Sequence, residues 1–197
     1  MRFYTHRFAK VIPAFVKGII FILLEKVVTE AHGDGVWDAL LEKSGASGTY
    51  TSLGSYPDEE LLALVAAASE ATGRPQGEIL TWFGRMAMPL LRERYPDFFT
   101  RHRQTIPFVL TLNEIIHPEV RKLYPGAEAP DFGFRRSAPN ELELEYRSKK
   151  KMCALAEGLI LGAADVFGEK AVIEQPRCMH RGDESCLMVC RFESAAS

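Results

Sequence analysis

In the stretch ELELEYRS (141–148), followed at once by KKKMCALAEGLILGAADVFG (149–168), a strand pattern passes directly into a helix pattern. Leu142, Leu144 and Tyr146 alternate with Glu141, Glu143 and Glu145, the period-two rhythm of a half-buried strand. The next twenty residues read as an apolar helix ending at Gly168. Upstream, DFGFRRS (131–137) alternates in the same way, with APN (138–140) as the turn. Downstream, KAVIEQPRCMHRGDESCLMVCRFE (170–193) reads as two more strands around RGDE (181–184). Two strands, a helix and two strands make an antiparallel sheet of about four strands.

Everything before PGAEAPDF (125–132) is helical in character. VKGIIFILLEKVVTEAHG (16–33) places apolar residues at 19, 20, 23, 24, 27 and 28 and stops near Gly33. DGVWDALLEKSG (34–45) is a short helix opened by Asp34 and stopped by Gly45. TYTSLGSYP (49–57) is a polar, turn-rich connection. YPDEELLALVAAASEATG (56–73) has acids in its first turn and a glycine after its end. PQGEILTWFGRMAMPLLRERYP (75–96) is expected to break near Pro89, and DFFTRHRQTIPFVLTLNEIIHPEVRKLYPG (97–126) near Pro107 and Pro118. The fold class is α+β: an N-terminal helical subdomain packed on a C-terminal four-stranded antiparallel sheet with helices.

The bulk numbers bound the function. The 197 residues carry 24 Lys and Arg against 26 Asp and Glu, without the basic surplus of a nucleic-acid-binding domain. The longest apolar run, VKGIIFILL, is too short for a membrane span. No complete signal peptide is present, so a cytoplasmic, non-membrane protein is expected. No nucleophile–base pair, phosphate loop or carboxylate dyad points to an enzyme. Residues 1–15, MRFYTHRFAKVIPAF, are set apart as an N-terminal extension, and a single domain is expected over 16–197. Val16 can itself serve as a bacterial start, which makes the extension upstream sequence; the rival reading is a basic, aromatic membrane-surface anchor.

Three features carry chemistry. His117 lies among Ile115, Ile116 and Val120, directly before Pro118, which disfavours an α conformation at His117. Its imidazole serves either as a helix-junction group bonded to a carbonyl or as a metal or heme ligand. Tyr146, Ser148 and Lys150, spaced by two, form either an anion-binding ladder or a solvated strand end. Cys178, His180, Cys186 and Cys190 crowd the last hairpin. Cys178 and Cys186 face each other if the turn centres on Gly182, which allows a zinc site of three thiolates and one nitrogen, a disulfide, or free thiols. Cys190 joins only if its strand bends. Cys153 reads as a small apolar core residue.

The first two of these features, in this order along the chain, resemble the heme nitric-oxide/oxygen-binding (H-NOX) family, which includes the heme domain of soluble guanylate cyclase. The resemblance runs from VKGIIFILLEKVVTE through YTSLGSYPDEELLALV and LNEIIHPEVRKLYPGA to EYRSKKKMCALAEGLILGAADVFG. It implies heme b held between the helical part and the sheet part. It implies His117 as the proximal iron ligand and Tyr146 and Ser148 on the heme propionates, with Lys150 standing where the family motif has arginine. Lysine keeps the charge and loses the bidentate fork. Ile20 and Pro130 match the positions that press on the porphyrin. Leu155 matches the distal position where family members that bind oxygen carry tyrosine; leucine cannot donate a hydrogen bond.

The resemblance therefore implies a stand-alone sensor that binds nitric oxide and carbon monoxide and excludes oxygen. In the family's manner, gas binding weakens the bond to the histidine, the porphyrin relaxes, and a partner reads the shift in trans. In bacteria that partner is a histidine kinase or a cyclic-di-GMP enzyme. Some family members also carry a zinc cluster, with a histidine where this chain has Gln175. The rival reading is a thiol/zinc redox sensor in which heme is weak or dispensable.

Overall fold

The computed structural model describes residues 15–194. The extension set apart at the N-terminus lies outside the described residues, apart from Phe15. Helix α1 (Gly18–His32) follows a short strand β1 (Phe15–Lys17), and α2 (Asp34–Ser44) ends on Gly45 in the left-handed region. Strand β2 (Ser55–Pro57) pairs antiparallel with β1, a two-stranded ribbon where a plain turn-rich connection was expected. Helices α3 (Asp58–Thr72) and α4 (Gln76–Arg94) follow. Phe21, Leu61, Leu64 and Phe83 fill the core of this helical part.

Two expectations about proline are corrected. Helix α4 runs unbroken through Pro89. Proline removes the hydrogen bond to the carbonyl of Arg85, four residues back. That carbonyl faces Gly162 on a neighbouring helix, where a side chain is absent and the backbones meet closely. Pro118 likewise does not interrupt the chain at His117. Helix α5 (Thr105–Val109) leads into a π-helical turn (Leu112–Ile116), and α6 (His117–Leu123) starts at the histidine itself, with φ −64° and ψ −39°. The wide turn spares the ring of Pro118 the close carbonyl of an ordinary helix.

The C-terminal half is a sheet of order β3-β4-β6-β5, antiparallel at every pairing. Its strands are β3 (Asp131–Ala138), β4 (Glu141–Arg147), β5 (Glu169–Arg177) and β6 (Cys186–Ser194). Leu142, Leu144 and Tyr146 of β4, and Cys186, Met188, Cys190 and Phe192 of β6, point to one buried face. Helix α7 (Cys153–Val166) joins β4 to β5 and contributes Cys153, Ala156, Ile160, Ala163 and Ala164 to the same core.

Helix α7 also packs on α4 at near backbone contact. A Cβ on Gly158 would stand 2.1 Å from the carbonyl oxygen of Thr81, and one on Gly84 would stand 2.5 Å from that of Leu155. The Oγ1 of Thr81 donates to the Ala154 carbonyl at 3.2 Å, and Arg85 grips Asp165 with two hydrogen bonds of 2.6 and 2.8 Å. Gly158→Ala is expected to push the helices apart and destabilise the fold by about 2 kcal/mol or more. Gly77→Ala meets only Ala154 Cβ at 4.0 Å and should be neutral. Thermal melts of the two variants against the parent, where the first should fall by about 4–8 °C, check this.

Candidate functional site

Between the helical core and the sheet core lies a cavity of about 330 Å³, in the range of small-molecule and cofactor sites. Ile20 of α1, His117 of α6, Pro130 before β3, Tyr146 of β4, Ser148 and Lys150 after it, and Leu155 of α7 all line it. Residues far apart in the chain thus meet in one chamber. Its walls are otherwise mostly aliphatic and aromatic, with Met88, Phe98, Val109 and Leu159 among them.

His117 is placed by the π-helical turn and by stacking on Phe132, with ring centroids 5.7 Å apart. Phe132 in turn sits 5.7 Å from Tyr146 and 5.9 Å from Phe134, so the ring is tied to the sheet by aromatic contacts. Sequence reading passed over Phe132; its signal was its place in the alternating DFGF. The Nδ1 of His117 is buried without a hydrogen-bond partner among the described residues, which answers against the carbonyl-bonded reading at that nitrogen. Burial, with Arg121 nearby, pushes its pKa down to about 4 despite Asp131. The imidazole is therefore neutral at physiological pH, the form in which it ligates a metal.

Tyr146, Ser148 and Lys150 do not form a ladder along a strand, because β4 ends at Arg147. Ser148 Oγ accepts from the Lys150 backbone N–H at 3.2 Å, and Lys151 takes a positive φ of 50°, closing a turn. The turn still leaves all three on the cavity wall. Burial holds the Tyr146 phenol up at about 12, with Ser148 and the Met152 backbone against its hydroxyl. Lys150 is nearly enclosed: its Nζ donates to the Phe15 carbonyl and lies 3.8 Å from Glu128 Oε2. Two further tyrosines on the wall, Tyr95 and Tyr124, share a hydrogen bond between their hydroxyls, and Arg94 Nε donates to Tyr95 at 3.1 Å.

The cysteine expectation is corrected. The sulfurs that come together are those of Cys153, Cys178 and Cys186, all within 4.8 Å of one another. Cys178 and Cys186 meet as the hairpin reading required, 3.8 Å apart, and Cys153 lies 3.8 Å from Cys178. Cys190 is outside the group: it pairs with Leu142 and Ile173, and burial pushes its thiol up to about 12. His180 is exposed, with its Nε2 at 2.7 Å from the Lys151 carbonyl oxygen. Cys153, read as a core filler, was missed because its partner strand lies 25 residues away.

The profile of the family described as Haem-NO-binding matches residues 17–175. The chain belongs to this H-NOX family. Its fold agrees with solved H-NOX structures. An H-NOX protein from S. oneidensis in the Fe(II)NO state is 32% identical at a TM-score of 0.85, over 91% of this chain and 100% of that one. An H-NOX domain from Shewanella oneidensis in the Fe(II)CO state is 32% identical at 0.81, over 90% and 99%. An unliganded Fe(II) H-NOX protein from K. algicida is 26% identical at 0.81, over 91% and 97%. H-NOX domains are heme-binding gas-sensor domains. The residues of this H-NOX chain fit heme: an apolar chamber, a neutral imidazole with an unshared nitrogen, and polar groups gathered on the turn after β4. Among the described residues, no helix is long and apolar enough to cross a membrane.

The buried imidazole sets a pH dependence for the heme-free protein. Its folded pKa lies below the unfolded value of 6.5, so the unfolded chain takes up the proton first. The stability it contributes is complete above about pH 6.5 and is lost as pH falls toward 4, on the order of 2 kcal/mol after screening. Denaturant melts across this window should show that loss for the parent, and a shallower one for His117→Leu.

Proposed function

We propose that the protein is a heme-based sensor of nitric oxide and carbon monoxide that excludes oxygen and signals in trans from the cytoplasm. The observation that carries this reading is the neutral, unpartnered imidazole of His117 facing an apolar chamber. Heme, when bound, supplies a ferrous iron able to take a diatomic gas. His117 would hold the iron, and Tyr146, Ser148 and Lys150 would hold the two carboxylates. Lys150 offers them a point charge where arginine would offer a fork. Ile20 and Pro130 would bear on the macrocycle from α1 and from the approach to β3.

Gas selectivity rests on what the wall does not offer. A polar, negatively charged ligand gains from a hydrogen-bond donor, and a nearly neutral one gains little. Leu155 has no donor. The hydroxyls of Tyr95 and Tyr124 bond to each other, which takes up one of their two protons, and that of Tyr146 lies against Ser148 and Met152. At the Leu155 position, therefore, oxygen gains no compensating hydrogen bond, while nitric oxide needs none. The output is read by a separate protein, in the manner of a histidine kinase or a cyclic-di-GMP enzyme. A thiol-based redox sensor remains as the second reading, favoured by the three gathered sulfurs; it does not require heme to be dispensable.

The test is the absorption spectrum of reduced, heme-loaded protein, first anaerobic, then with nitric oxide, then in air. The Soret band should move with nitric oxide and ignore air. His117→Ala should lose or alter it. Leu155→Tyr should create a response to air, and Lys150→Arg should slow heme transfer to a scavenging apoglobin by several-fold. A wild-type spectrum that responds to air, or heme retention and spectrum unchanged in His117→Ala, would sink the proposal.

A further inference from the structure

We infer that Cys153, Cys178 and Cys186 form a closed three-sulfur site for a soft, monovalent metal ion of the cuprous class, in preference to zinc. Sulfurs bonded to one ion at about 2.3 Å stand about 3.8–4.0 Å apart. Two of the three separations here are already 3.8 Å, and the third is within 4.8 Å. The three thiols come from different places: the first turn of α7, the residue just after β5 and the start of β6. The fold has set them at ligand spacing without a disulfide.

The donor count then selects the ion. Structural zinc is almost always four-coordinate and tetrahedral. Each candidate for a fourth ligand is withheld. The His180 ring meets the Lys151 carbonyl, Cys190 stands further along β6, and the Asp183 carboxylate accepts from the Cys178 backbone N–H at 2.7 Å. Water is excluded as well, since the three cysteines are 3%, 5% and 0% exposed. What remains beside Cys153 is the side chain of Gln175, whose Nε2 is buried without a partner among the described residues. A neutral amide is a weak ligand for any thiophilic ion. Soft d¹⁰ monovalent ions are satisfied by sulfur alone.

The surroundings suit bound thiolates. The Met179 backbone N–H donates to Cys186 Sγ at 3.2 Å. Arg181 is anchored three residues from Cys178 by its bond to the Gln175 carbonyl at 2.7 Å. Both offset the negative charge left when the ion displaces thiol protons to the buffer. Copper is already cuprous when it binds, so no electron is transferred. The inference stands apart from the heme reading, because it is read by metal–sulfur coordination and not by the response to gas.

The experiment titrates the full-length chain, reduced and anaerobic, with cuprous ion held by a competing chelator, and separately with zinc. X-ray absorption at the copper edge follows. One equivalent bound, three sulfur scatterers without nitrogen or oxygen, and a preference over zinc of about tenfold or more are expected. Cys153→Ser should abolish the three-sulfur signal, and Cys190→Ala should leave it intact. Gln175→His, which supplies the missing nitrogen, should shift the preference toward zinc. Zinc binding as tightly as copper in the parent, any coordination other than three sulfurs, or loss of the signal in Cys190→Ala overturns the inference. If Cys153→Ser does not fold, the parent spectrum and Gln175→His still decide it.

Discussion

The backbone-to-backbone approach of α4 and α7 is the constraint on which the rest of the structure leans. Gly84, Gly158 and Gly162 remove the side chains that would keep the helices at ordinary spacing. The approach has three consequences. It lets Gly162 face the Arg85 carbonyl that Pro89 deprives of its partner. It brings Thr81 within reach of the Ala154 carbonyl. It also ties the helical core to the sheet core, because α7 lies against α4 on one side and the sheet on the other. The cavity is what remains open between two cores held at a fixed distance along this seam, and Leu155 reaches it from the first turns of α7.

The chamber's chemistry follows from how few polar groups enter it. A buried imidazole without a partner is unfavourable in an isolated protein, both in lost hydrogen bonding and in the proton it refuses. Such a group persists where the backbone over-determines it. Here the π-helical turn, Pro118 and the stacked ring of Phe132 fix the ring before any ligand arrives. The unfavourable feature is thus concentrated at one atom group and offset by the apolar packing around it. The His117 ring meets Phe132 and Phe132 meets Tyr146, so α6 is joined to the sheet by a continuous run of aromatic contacts.

Much of this was legible in the sequence, for identifiable reasons. Strand β4 and helix α7 announced themselves because period two and helical length are local properties of the chain. The glycine stops after α1, α2 and α3 were legible for the same reason. The breaks expected at Pro89 and at His117 were misread because their resolution is tertiary or unusual: a facing glycine on another helix, and a widened turn. The small ribbon of β1 and β2 was hidden because its strands are three residues each and nearly forty residues apart. The seven residues assigned to heme came from resemblance in sequence order, and the fold carries them to one cavity. The cysteines show the opposite case. Spacing along the hairpin found Cys178 and Cys186, but a strand register cannot show which helix end will come to lie beside them.

Lys150 joins these themes. An arginine at this point would present a planar fork and hold two oxygens with little freedom. Lysine presents one compact charge on a flexible stem, and this one is shared among neighbours: the Phe15 carbonyl of β1, Glu128 before β3, and Asp58 at the start of α3, whose carboxyl feels its charge. Its position therefore depends on three elements of the chain at once. A carboxylate entering the cavity must compete with Glu128 for that charge. If it wins, the lysine's hold on β1 and the loop before β3 changes with it. On the proposed heme reading, lysine in place of the family motif's arginine would offer the ligand a charge already engaged by the N-terminal ribbon and by Glu128. Three residues on, Cys153 opens α7 within the three-sulfur cluster, whose Cys186 pairs across the sheet with Tyr146. The same short turn is therefore held from one side by a charge that can be redistributed, and from the other by sulfurs that an ion can lock.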